Sequence, residues 1–153
     1  MTDKIITETT IVDAPPEVVF AIVADPRQHP RIDGSGSVQN LIDGPDLLHK
    51  GAQFGVQMKL FGLPYKISNR VVEFEDGRRI AWRHFGGHRW RYELEPTDDG
   101  GTRVTESFDY SRYGPVASAW IRGAGFPARN RQGIKDTLVR LKDAAEADAV
   151  SAP

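Results

Sequence analysis

The chain contains no cysteine. It therefore forms no disulfide, offers no thiolate nucleophile and builds no cysteine-ligated zinc site. It has no apolar run approaching the roughly 18 residues that a membrane-spanning helix needs, so no integral membrane association is expected. It has no surplus of one charge: 20 Lys and Arg face 21 Asp and Glu, a net charge of −1, which gives no pull toward nucleic acid or an anionic membrane surface. Met1-Thr2-Asp3-Lys4 lacks the apolar segment of a signal peptide, and a cytoplasmic location is the expectation. There is no internal repeat and no linker. Its 153 residues are expected to form one domain over 1–153, with a tail that frays from about 146.

What is present is a dense run of strand signals between helix signals. Residues 4–12 are rich in Ile, Thr and Val and read as a strand. Asp13-Ala14-Pro15-Pro16-Glu17 announces a helix, because proline is tolerated where the first N–H groups lack partners and Glu17 complements the dipole. Val18, Val19, Ala21, Ile22 and Val23 make that helix apolar and predict burial; Asp25-Pro26 ends it. A short helical turn and a glycine-containing loop follow over 26–37. Six further strands are expected at about 38–43, 53–61, 64–75, 79–85, 88–95 and 102–111, separated by Gly44-Pro45, Gly62-Leu63-Pro64, Asp76-Gly77, Gly86-Gly87 and Asp98-Asp99-Gly100-Gly101. Connections this short imply antiparallel neighbours. A short helix is expected over 115–122, interrupted at Gly123, Gly125 and Pro127, then a long helix over 128–147. In it Ile134, Leu138, Leu141 and Ala145 form one apolar stripe. The fold class is α+β: a curved, seven-stranded antiparallel sheet wrapped around a long C-terminal helix, with a space between the two.

Alternation assigns the lining of that space. Trp82, His84, Trp90 and Tyr92 fall on one face of a hairpin, and Arg83, Arg89 and Arg91 on the other. The same parity adds Phe54, Val56 and Met58, then Tyr65, Ile67, Asn69 and Val71, then Val104, Glu106, Phe108 and Tyr110. This inner face is aromatic and aliphatic. Its polar exceptions are Asn69, His84 and Glu106, with Asn40 a further candidate.

Glu106 needs a physical account, since a buried carboxylate pairs or raises its pKa. Three readings stand. It lies at a cavity mouth or pairs with Arg129 or Arg131 of the last helix; it forms, with His84, the polar pole of a ligand cavity; or a β-bulge turns it to the other face. The outer arginines are expected to pair across strands with Glu93, Glu95 and similar residues, the alternative being an anion-binding patch. His84 and His88 gather no close set of acidic partners, so no metal is expected. Gly34-Ser35-Gly36 lacks the lysine and the strand-to-helix context of a phosphate loop, and Ser35 and Ser37 read as loop chemistry.

The chain resembles the START / SRPBCC superfamily of helix-grip proteins, which includes polyketide cyclase-like and birch pollen allergen-like members. The resemblance spans residues 4–146. It rests on Ile11-Val12-Asp13-Ala14-Pro15-Pro16-Glu17-Val18-Val19-Phe20, Val71-Val72-Glu73-Phe74, Ile80-Ala81-Trp82-Arg83, Gly101-Thr102-Arg103-Val104-Thr105 and Thr137-Leu138-Val139-Arg140-Leu141-Lys142. Many members carry a Tyr-Pro-x-Trp pattern after the first helix, where this chain has His29-Pro30-Arg31-Ile32. The resemblance implies the fold and a cavity ligand but carries over no catalytic motif. The leading expectation is binding of a hydrophobic or aromatic small molecule of lipid, polyketide or isoprenoid class. Phe54, Met58, Tyr65, Trp82, Trp90, Tyr92 and Phe108 would supply apolar wall, and Asn69, His84 and Glu106 would orient the ligand. The enzymatic alternative is a cyclase, aromatase or dehydratase without cofactor, with His84 or Glu106 as acid or base. The third is an interaction or stress-type domain whose interior is filled by its own aromatics. A monomer or homodimer is expected.

Overall fold

The computed structural model describes residues 4–60, 62–83 and 88–151. Seven strands form one antiparallel sheet: β1 (Ile5–Val12), β2 (Val38–Asp43), β3 (Gln53–Leu60), β4 (Leu63–Glu75), β5 (Arg79–Arg83), β6 (Arg89–Pro96) and β7 (Thr102–Asp109). Their order across the sheet is β1-β7-β6-β5-β4-β3-β2. The last strand thus pairs with the first, and the rest form a meander.

The helices are α1 (Pro16–Val23), α2 (His29–Ile32), α3 (Pro115–Gly123) and α4 (Phe126–Ser151). Pro16 stands in the first turn of α1 beside Glu17, and Val19, Phe20, Ile22 and Val23 are buried. A single 3₁₀ turn, Pro26–Gln28, follows, capped by the Asp25 side chain accepting from the Arg27 N–H at 3.0 Å. Gly125, at φ +79°, breaks α3 from α4, a backbone conformation that favours glycine.

The stripe Ile134, Leu138, Leu141 and Ala145 is buried, and α4 packs along β1 and β7 and against α1 and α2. Gly34 lets α2 close onto α4: a Cβ there would lie 2.4 Å from the Thr137 backbone nitrogen, and the Gly34 N–H donates to Thr137 Oγ1 at 2.8 Å. α4 runs on to Ser151. Partners hold it there: Glu146 accepts from Lys142 and the Asp13 N–H, and Asp148 pairs with Arg31 at 2.8 Å.

Candidate functional site

The inner-face pattern survives in the register. Phe54 lies opposite Asn69, Met58 opposite Tyr65, Val71 opposite Trp82, Trp82 opposite Trp90, Tyr92 opposite Glu106 and Trp90 opposite Phe108. Two aromatic groups result. In the first, the His29 ring stacks on Trp82 at 4.7 Å, and Phe54 meets both rings edge-on at 5.6 and 5.7 Å. Tyr92 lies 5.7 Å from Trp82. In the second, Phe108 contacts Trp90 at 4.8 Å, Tyr110 at 5.7 Å and His88 at 5.5 Å. Asn69 is buried opposite Phe54. Met58 and Tyr65 lie toward the rim, with Tyr65 37% exposed. His84 and the Gly86-Gly87 turn lie outside the described residues.

Glu106 sits beside the junction of the two groups. It is 4% exposed, flanked by Glu8 of β1 and Tyr92 of β6. Its neighbour Glu8 takes the cations of α4, Arg131 at 2.7 Å and Lys135 at 3.9 Å. Arg131 is therefore not the partner of Glu106. Nor is Glu106 a rim residue or a convex one. The Tyr92 hydroxyl donates to the Glu106 carboxyl, while Glu106 Oε2 is buried without a partner among the described residues.

Desolvation pushes the Glu106 pKa up; the Tyr92 bond opposes this and Asp33, at the end of α2, adds repulsion, and the outcome is about 8. At neutral pH Glu106 is therefore a carboxylic acid. Tyr92 occupies one oxygen, so the other is the one free to carry the proton, and that O–H meets no acceptor among the described residues. Burial also drives the Tyr92 hydroxyl well above its ordinary pKa. A neutral acid against an aromatic wall can donate a hydrogen bond to a carbonyl or hydroxyl, or give up its proton.

Three residues near this centre were not among the sequence candidates. His29 is buried, and its Nε2–H donates to the Val23 carbonyl at 2.8 Å; burial lowers its pKa and keeps the ring neutral. His88 Nδ1 lies 2.9 Å from the Tyr113 hydroxyl. Asp33 acts on Glu106 through space. The available signal for His29 was its place just after the Asp25-Pro26 helix stop, where a second turn folds back under the sheet. Among the described residues no three His, Cys, Asp or Glu side chains gather as metal ligands.

An apolar cleft of about 450 Å³ opens where α3 meets α4, with Ile5, Ile6, Tyr110 and Pro127 as floor and Arg122 and Arg131 at its edges. Arg122 Nη1 is buried without a partner. Through Ile6 and Tyr110 the cleft adjoins Phe108 of the second aromatic group.

The convex face keeps the expected cross-strand pairing, Arg103 with Glu95 among it, but Arg89 and Arg91 find a different glutamate. Arg89 and Arg91 pair with Glu73, each at 2.7 Å, and Arg91 also reaches Asp109 at 3.1 Å. Glu93 and Glu95 take Arg79 and Arg103 at 3.9 and 3.7 Å. The reason is a bulge at Val72: the register passes from Val71 opposite Trp82 to Glu73 opposite Ala81, which turns Glu73 outward beside Arg91.

Residues 4–146 match the family described as polyketide cyclase / dehydrase and lipid transport. An uncharacterised protein of Mycobacterium tuberculosis, Rv0088, is 45% identical over 134 residues, covering 86% of this chain and 60% of that protein. The chain thus spans 60% of the length of that curated relative. Among solved structures, protein NE0264 of Nitrosomonas europaea superposes with a TM-score of 0.71 at 18% identity over 98% of this chain and 99% of that one. An AHSA1-like protein of Aeromonas hydrophila gives 0.67 at 20% identity over 94% and 93%. At such identities these two likenesses bear on the fold alone. Among the described residues no helix is long and apolar enough to cross a membrane.

Proposed function

The chain belongs to the polyketide cyclase / dehydrase and lipid transport family, and we propose that within it this protein binds a hydrophobic or aromatic small molecule of lipid, polyketide or isoprenoid class between the sheet and α4. The observation that carries this reading is the buried Glu106 carboxyl, whose Oε2 has no partner among the described residues. An apolar wall with one buried, neutral donor suits a ligand that is mostly hydrocarbon and carries one carbonyl or hydroxyl. The rings of His29, Phe54 and Trp82 pack against one another on one side of Glu106. The ligand accordingly lies on the other side, along Trp90, Phe108 and Tyr110, and enters by the cleft between α3 and α4.

The test uses Nile red, an uncharged apolar dye with a carbonyl, titrated by fluorescence across pH. Wild-type affinity is expected to fall as pH rises through about 8, where Glu106 ionises. Glu106→Gln keeps an uncharged donor at every pH, and its affinity should stay flat. Native mass spectrometry of protein purified without denaturation should show a retained apolar compound. Neither dye binding nor a retained compound would leave an interior filled by its own side chains, the interaction-domain reading.

The raised pKa also favours a second reading, in which Glu106 acts as general acid in a cofactor-independent cyclisation or dehydration. In that case Glu106→Gln binds substrate and does not turn it over. An unchanged rate in that variant would reduce Glu106 to an orienting group.

A further inference from the structure

On the convex face, away from Glu106, lies a cleft of about 480 Å³ lined by Lys50, Gly51, Arg70, Val71, Val72, Arg83, Arg89 and Arg112. Its charged lining is entirely cationic, in a chain whose net charge is −1. The cations arrive from separate segments: the turn before β3, then β4, β5, β6 and the segment after β7. Such convergence is a property of the fold, not of one basic stretch.

The carboxylates that accompany them stand behind the cleft and are already shared. Glu73 serves both Arg89 and Arg91, and Asp109 serves both Arg91 and Arg112, the last at 3.4 Å. Lys50 and Arg70 have no ion-pair partner among the described residues. Arg70 and Arg83 face each other directly in the β4–β5 register. Like charges placed opposite on one face of a sheet destabilise it. Arg89 spends one end of its guanidinium on Glu73, and its Nε–H is buried with no acceptor among the described residues. A cationic concavity, a facing arginine pair and an orphaned guanidinium N–H have one complement in common. That complement is a multiply charged anion rich in oxygen acceptors.

We propose that this convex cleft is a binding site for a phosphoryl or pyrophosphoryl group. Planar guanidiniums match phosphoryl oxygens two at a time, and the facing positions of Arg70 and Arg83 let both reach one multiply charged group. The volume exceeds what one phosphate fills, so part of the molecule that bears the group lies in the cleft with it. The site is distinct from that of the cavity ligand proposed above: of its lining only Val71 belongs by register to the Glu106 face, and none of its cations does.

Inorganic pyrophosphate is the probe, titrated at low salt by calorimetry and by the arginine Nε–H NMR signals. Binding should move the Arg89 Nε–H signal and weaken as salt is added. The double variant Arg70→Gln/Arg83→Gln changes two exposed side chains, keeps the fold by circular dichroism, and should bind about tenfold or more weakly. Phosphatidylcholine vesicles with and without phosphatidic acid, whose phosphomonoester can carry two charges, decide the source of the group. If pyrophosphate fails to bind but the protein sediments only with phosphatidic acid vesicles, and the double variant does not, the group is a lipid headgroup. Binding to neither, or binding that the double variant leaves undiminished, overturns the site.

Discussion

Two glutamates of one sheet, one on each face, carry opposite shifts. Glu106 on the concave face holds its proton to a pKa of about 8, chiefly through burial. Glu73 on the convex face falls to about 2, chiefly through its bond to Arg91 and then that to Arg89. Both lie in strands and both are largely covered. What separates them is a guanidinium within reach. Glu73 has two; Glu106 has a tyrosine, and the cations near it are spent on Glu8. A sheet of this kind makes a structural anchor or a proton donor from the same side chain, according to which face the cations occupy.

The largest expected effect breaks the concave member of the pair. Between pH 4.5 and 8 the unfolded chain releases the Glu106 proton and the folded chain keeps it, so stability falls as pH rises through this window. Glu106→Gln removes that loss. Denaturant unfolding should show the variant no more stable than wild type below pH 4.5 and increasingly more stable above, by up to about 4–5 kcal/mol beyond pH 8. Parallel pH profiles for the two proteins would mean that Glu106 is ionised in the fold.

Next comes the convex member. Glu73→Gln takes from Arg89 its carboxylate and leaves Arg91, also mostly covered, with Asp109 alone, and should cost about 2–3 kcal/mol at neutral pH after allowance for partial solvation. The contribution of Glu73 is present above pH 4.5 and is lost as pH falls through about 2, so the deficit of the variant should shrink in acid. A deficit constant across that range would show that packing, not charge, holds Glu73.

The smallest effect sharpens the comparison. Tyr92→Phe takes from Glu106 its single donor, costs about 1 kcal/mol and raises the Glu106 pKa further, as read from carboxyl carbon NMR titration. A titration that does not move would detach Tyr92 from the site.

Much of this was legible in the chain. The apolar stripe from Ile134 to Ala145, the seven strands and the face assignments of Trp82, Trp90, Tyr92 and Glu106 follow from side-chain period alone, because period is a local property. What alternation cannot carry is which residue lies across a strand or under a helix. Nothing in the order of residues says that Arg131 answers Glu8 in preference to Glu106. Nor does it show that His29 slides onto Trp82. The bulge at Val72 is a third case. Strict alternation from Asn69 and Val71 would have turned Glu73 inward, and one extra residue sends it out to the arginines.

The pairing of the first strand with the last has a consequence for synthesis. Thr7 and Ser107 bond across a separation of 100 residues, and β1 has β7 as its sheet neighbour. Of the strands of this sheet, β1 is thus made before all the others and its partner after them, so its pairing waits on a separation of 100 residues being closed. Until then Ile-Ile-Thr-Glu-Thr-Thr-Ile-Val is an unclaimed β-rich segment of the kind that aggregates. Its one charge is Glu8. In the finished protein that carboxylate answers Arg131; on the growing chain it is the gatekeeper that keeps the segment from pairing with its own copies.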